Sequence, residues 1–164
     1  MGMVLKLLNE TREEVLASIN GLSDDELNRS LDSESWSIAQ VLHHLQQIES
    51  YFLSLMDAAL QGPSEEVREK NLSSVVDRSH KAKSPIEPSS EYKTKEELLS
   101  RLKHSRNKVN ALLAKTNPDI LAEKPLSHPV IGKLSVKQTL EFIANHEKRH
   151  LEQIEEIKQF IAVR

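Results

Sequence analysis

Three of the seven histidines in this 164-residue chain stand where helical periodicity reserves places for apolar side chains. His146 and His150 are four residues apart, and Val136, Leu140, Ile143, Ile154 and Ile157 mark the inward stripe on which both fall. His44 lies between Val41 and Ile48 on a second such stripe. An i, i+4 pair sets two imidazoles about one turn apart on one face, the separation needed to chelate a single ion, and a third ring from a facing helix completes the set. Buried imidazoles need hydrogen bonds or a Lewis acid for their ring nitrogens, and one metal ion serves all three. The alternative is that the rings bond one another, buried carboxylates or waters. Three neutral His ligands suit Zn or Ni first, with Fe, Co or Cu also compatible. Three protein ligands leave coordination positions open, as at catalytic rather than purely structural zinc.

The other histidines are placed by their neighbours. His43 has Ala39, Gln46 and Gln47 beside it and is expected to face outward; His80 and His104 read as surface residues. His128 sits in a loop before the last helix, where it is expected at the mouth of the site. Residues 146–150 also spell the H-E-x-x-H of zinc metalloproteases, in which the Glu is a general base. Such enzymes take their third ligand downstream, yet residues 151–164 hold no His and the G-x-x-H extension is missing. The peptidase reading is therefore set aside. Glu147, a helical step off the stripe, is expected to face solvent or to support the site from behind.

Four long amphipathic segments must carry these residues. The first takes its apolar face from Leu5, Leu8, Val15, Ile19 and Leu22, with Arg12 in one apolar slot, and ends near Asn20-Gly21. Ser23, followed by Asp24, Asp25 and Glu26, caps a further short turn. Ser37 with Gln40 is a capping box that opens the second long helix, which runs to Gln61 before Gly62-Pro63 stops it. Residues 63–93 are polar and proline-interrupted and read as a crossover connection, with Glu65 to Val76 as a loosely packed helix. Thr94 with Glu97 caps the third long helix, closed at Asn117-Pro118, and Ser135 with Gln138 caps the fourth. The fold expected is all-α: one domain over residues 1–164, a four-helix bundle with a long crossover between helices two and three.

Composition narrows the function. Aromatics at 4% and four glycines argue against a many-stranded β architecture. A formal charge of −3 gives no footprint for phosphate backbones, so no nucleic-acid partner is expected. The chain has no cysteine, which excludes disulfides, thiolate-ligated metals and a catalytic thiol of its own; any thiol chemistry comes from a substrate. Charge breaks every apolar run well short of the roughly 18 residues a membrane span needs. No membrane partner is expected, and the expected location is the cytoplasm.

Two stretches carry a family resemblance. Trp36-Ser37-Ile38-Ala39-Gln40-Val41-Leu42-His43-His44-Leu45 with Glu49 after it, and His128-Pro129-Val130-Ile131-Gly132-Lys133-Leu134-Ser135 running into His146-Glu147-Lys148-Arg149-His150-Leu151-Glu152-Gln153-Ile154, resemble the helix-two and helix-four motifs of the DinB/YfiT-like superfamily. The resemblance covers nearly the whole chain, including the crossover around Pro85 to Pro88. It implies a bundle with one long crossover, often a homodimer, and a three-His metal site: His44, the His directly before Leu, with His146 and His150. Characterised members include S-transferases that use bacillithiol or mycothiol and a mycothiol-dependent isomerase; others are described as metal-dependent hydrolases or damage-inducible proteins.

The chemistry this implies is transfer of a low-molecular-weight thiol to an electrophile, the metal lowering the thiol's pKa, with hydrolysis by a metal-activated water as the second reading and a non-catalytic metal-binding bundle as the third. The substrate-facing candidates are Arg106, Glu49 and Glu147. Arg106 has Leu99, Leu102, Val109 and Leu113 as helical neighbours, so its guanidinium is a candidate for pairing with a substrate carboxylate. Arg12 invites the same reading, and Glu49 that of an acceptor orienting a ligating His. Trp36 reads as a packing anchor rather than a substrate contact.

Overall fold

A computed structural model describes residues 2–75 and 86–163 of the chain. His80, Pro85 and Val76, which the sequence reading touches, lie outside the described residues.

The four long helices are present to within about a turn of the expected bounds: α1 (Gly2–Ser18), α3 (Ile38–Gln61), α4 (Lys95–Ala114) and α5 (Val136–Val163), with a short α2 (Asp24–Asn28) after α1. Local chemistry sets their starts. In α2 and α3 both halves of the capping box form, Ser23 with Glu26 and Ser37 with Gln40. In α4 only half does: Thr94 Oγ1 accepts from the Glu97 N–H at 3.2 Å, while the Glu97 carboxylate accepts from Arg101 at 3.0 Å instead. In α5 the Ser135 hydroxyl caps the Gln138 N–H, but the Gln138 side chain turns to the crossover, donating to Lys70 O at 2.7 Å and accepting from Lys70 N at 3.2 Å.

Over residues 65–75, the described part of the helix expected from Glu65 to Val76, no α-helix forms. Among the described residues the crossover is irregular, with one 3-10 turn at Ser73–Val75. Its backbone groups are taken up elsewhere, by Gln138 and by Glu123 O, which accepts from the Glu65 N–H at 2.9 Å. Between α4 and α5, where a loop is expected, the chain forms an antiparallel hairpin of β1 (Pro125–His128) and β2 (Gly132–Ser135) in which His128 stands opposite Gly132. Gly132 has φ +94°, which favours glycine, and a Cβ there would meet Lys70 Nζ at 3.2 Å.

α1 packs chiefly on α5, α4 on α3, and α3 and α5 meet across the centre. The core is in two parts. One gathers Leu8, Phe52, Met56, Val109, Leu140 and Ile143, the other Val15, Ile38, Leu42, Leu98, Leu102 and Ile154. Burying each of these large side chains contributes about 1.5–3 kcal/mol. On every long helix the break between the two parts falls at polar residues: Thr11 and Arg12, His44 to Glu49 around Leu45 and Ile48, Ser105 and Arg106, and His146 to His150. A polar layer thus crosses the middle of the bundle, and it holds the candidate chemistry. No helix among the described residues is long and apolar enough to cross a membrane.

Candidate metal centre

α3 and α5 bring His44, His146 and His150 together. The Nε2 of His146 is 3.2 Å from that of His44 and 3.1 Å from that of His150, and one ligand atom from each ring lies within 4.8 Å of the others. His44 and His150 are buried; His146 is enclosed by protein but leaves part of its ring facing a cavity. Periodicity alone pairs these rings, and the fold delivers that pairing because the apolar stripes of α3 and α5 that carry them both turn into the core.

Proton placement bears on what the rings can hold. His150 Nδ1 is 2.8 Å from the Gln153 amide oxygen, an acceptor, so the proton sits on Nδ1 and the Nε2 lone pair turns toward His146. Burial, with His150 as a second cause, pushes the His44 pKa down to about 3, the Ile86 backbone opposing. His146 is lowered well below the ordinary imidazole range by burial and by its two partners. The three rings point nitrogen at one another in a way that hydrogen bonds among them cannot all satisfy, since the one His146 Nε2 faces both of the other rings. Nitrogens bound to one ion at about 2.0–2.1 Å stand roughly 3.0–3.4 Å apart, the spacing of the two contacts measured here. The donor set fits a divalent metal ion.

Aromatic rings hold the imidazoles. Trp36 lies 5.0 Å from His44 and stacks at 17° on His150, and Phe142 stacks on His146 at 5.5 Å. Trp36 was expected only to anchor packing; it also lines the cavity. Its position depends on how the segment before α3 bends, which periodicity does not report. Gln153 was passed over, although an amide three residues beyond a candidate ligand is within reach on the same helix face.

The substrate-facing candidates are elsewhere. Glu147, expected off the stripe and either facing solvent or supporting the site from behind, is not at the surface: it is 1% exposed, because α1 covers that face of α5. Its carboxylate accepts from Arg12 Nη2 and Arg106 Nη2, each at 2.7 Å, and from Thr11 Oγ1 at 3.0 Å. Glu49 is also 1% exposed and accepts from Arg106 Nε at 2.6 Å, Ser105 Oγ at 2.5 Å and Arg12 Nη2 at 3.3 Å. Each arginine spends a further N–H on a carbonyl, Arg12 on Leu102 and Arg106 on Leu8. Arg12, Glu49, Arg106 and Glu147 thus form a buried, charge-balanced quartet drawn from all four long helices. The wall of the histidine cavity includes none of them among the described residues. Arg106 and Arg12 border instead a smaller cavity of about 570 Å³ between α1 and α4. His43, expected to face outward, is 8% exposed, and its pKa is lowered by burial first and then by Lys93 and Arg101. His104 is exposed as expected.

The histidine cavity has a volume of about 1050 Å³. Tyr51, Phe52, Phe142 and Phe160 give it an apolar wall, Glu34, Glu87, Arg149 and Glu156 a charged fringe, and His128 stands within it, buried. This volume suits a small organic molecule.

Three comparisons bear on this geometry. The family model of the DinB superfamily matches residues 7–154. An uncharacterized protein of Bacillus subtilis strain 168, YuaE, is 35% identical over 160 residues, covering 96% of this chain and 98% of that one. Two solved structures share the fold: TT2238, a four-helix bundle protein, with a TM-score of 0.65 at 20% identity over 94% of this chain and 96% of that one; and YfiT from Bacillus subtilis, described as a probable metal-dependent hydrolase with an unusual four-helix bundle topology, with a TM-score of 0.69 at 15% identity over 98% and 87%. The chain belongs to the DinB superfamily.

Proposed function

We propose that this member of the DinB superfamily is a metal-dependent enzyme that holds one divalent ion on His44, His146 and His150 and conjugates a low-molecular-weight thiol to an electrophile in the adjoining cavity. The observation that carries the metal is the convergence of three imidazole nitrogens at 3.1 and 3.2 Å in a buried polar layer. When bound, the ion supplies Lewis acidity that lowers the pKa of a thiol or water beside it. The chain's own residues do the rest. Gln153 keeps the His150 proton on Nδ1 and so keeps Nε2 available. Trp36 and Phe142 hold the rings in place, and the aromatic wall gives the reacting groups an apolar surface to pack against.

Two observations favour thiol transfer. The chain has no cysteine, so a thiol nucleophile must arrive as substrate, and a cavity of about 1050 Å³ has room for two partners. Hydrolysis is the second reading, favoured by the description of YfiT, which shares the fold. The working unit in this reading is a cytoplasmic homodimer, which sedimentation and cell fractionation test. One assay separates the reactions: zinc-loaded and nickel-loaded protein is incubated with a chlorobimane electrophile, with and without bacillithiol, mycothiol or cysteine, and in parallel with aryl esters and amides. Thiol-dependent conjugation supports transfer. Thiol-independent cleavage supports hydrolysis, and silence in both with metal retained supports a binding protein.

A further inference from the structure

His128 closes β1, and its ring has one tautomer open to it. Nδ1 accepts the backbone N–H of Val130 at 3.0 Å and of Ile131 at 3.1 Å. A nitrogen that accepts two hydrogen bonds carries no proton, so the neutral ring bears its proton on Nε2. Burial keeps the ring neutral, lowering its pKa to about 4. Nε2 is therefore a donor, and it has no hydrogen-bond partner among the described residues. The ring is clamped, stacked on Phe52 at 4.9 Å and set edge-on to Phe142 at 4.4 Å, and Phe142 stacks in turn on His146. It forms part of the wall of the histidine cavity. A buried N–H left without an acceptor costs about 1–3 kcal/mol, so such a group in a folded protein calls for a partner, and one that lines a cavity can find it in the cavity's occupant.

We propose that the Nε2–H of His128 donates a hydrogen bond to an oxygen acceptor, a carbonyl or similar group, on the small molecule that occupies the cavity. The proposal rests on this cavity being the substrate site. Nε2 has almost no exposed surface of its own, so the bond forms with a group seated in the cavity against the ring, out of reach of bulk water.

Two substitutions separate this donor from the structural role of the ring. His128→Asn places an amide oxygen near the Nδ1 position, where it can accept the turn's N–H groups, and removes the Nε2 donor. His128→Gln does the reverse, carrying an amide N–H₂ toward the Nε2 position. Nitrogen-15 NMR of metal-free wild-type protein at pH 7 should report the Nε2–H tautomer for His128. Zinc-loaded proteins are then titrated with acetohydroxamate, a small ligand that carries a carbonyl oxygen. Loss of one such bond should weaken acetohydroxamate about tenfold in His128→Asn, and equally in His128→Phe, with His128→Gln recovering most of the affinity and zinc affinity the same in all four proteins. An Nδ1–H tautomer overturns the proposal. So does equal acetohydroxamate affinity in His128→Asn and wild type, or no saturable acetohydroxamate binding by zinc-loaded wild type. Failure of wild type to take up zinc falls on the metal reading instead, and the tautomer measurement on metal-free protein still decides the role of His128.

Discussion

Arg106 Nη2 donates to the Glu147 carboxylate at 2.7 Å, one residue along α5 from His146 and away from the cavity that His146 faces. A pair this buried contributes through its completeness rather than through net attraction. Taking the ions out of water costs nearly what their pairing returns, whereas removing one partner strands a charge in the core.

Arg106→Met should therefore destabilise the protein by about 3–5 kcal/mol, since Glu49 and Glu147 would then share Arg12 alone. Replacing all four members with apolar residues of similar volume, Arg12→Met, Glu49→Leu, Arg106→Met and Glu147→Leu together, should cost far less or stabilise. Urea unfolding of the two variants checks the ordering; a single variant as stable as wild type would mean that water reaches the quartet.

Bound metal should raise thermal stability. A ligand at a hundred times its Kd stabilises by about 2.7 kcal/mol, which for a chain of this size is a rise in Tm of roughly 5–10 °C. Calorimetry with and without zinc or nickel measures it. The variant His44→Ala, His146→Ala, His150→Ala should show no rise.

Acid should weaken the metal-free fold from a defined point. His44 and His128 are held near pKa 3 and 4, and His146 well below its ordinary range, all chiefly by burial. The unfolded chain takes up protons near pH 6.5 that the folded chain refuses, so stability is intact above about pH 7 and falls as pH drops below 6.5, until the folded rings titrate near 4 and 3. Each such histidine contributes about 1.4 kcal/mol per pH unit within that window. Urea midpoints at pH 8, 6 and 5 trace the decline, and a flat profile would show that these rings are not held neutral by burial.

Gln153→Leu should lower metal affinity about 10- to 100-fold by releasing the Nδ1 proton that fixes the His150 tautomer. Competition with a chromogenic chelator gives the affinity. The metal-free Tm should stay within a few degrees, which separates a role in orienting His150 from a role in folding.

Much of this was legible in the residues, for a physical reason. Periodicity and capping report which face of a helix turns inward, and they placed α1, α3, α4 and α5 and separated His44, His146 and His150 from His104. They do not report how many neighbours cover a helix. Glu147 and His43 look external on a wheel with one buried stripe, yet α1 covers the former and the segment around Lys93 with α4 lies near the latter. Arg106 was read toward substrate because an arginine among leucines has to go somewhere polar; its acceptors are Glu49 and Glu147, which lie far away in sequence. The β1–β2 hairpin was missed because its strands are four residues each, too short for an alternating pattern to stand out.

The most direct test of the three-His centre is metal stoichiometry. Protein purified without chelator, equilibrated with zinc and dialysed, is compared by elemental analysis with His146→Ala, His150→Ala treated identically. One ion per wild-type chain and less than about a tenth of that in the variant is the expected result, since a single remaining imidazole does not hold a divalent ion through dialysis. Equal metal content in the two proteins would contradict it.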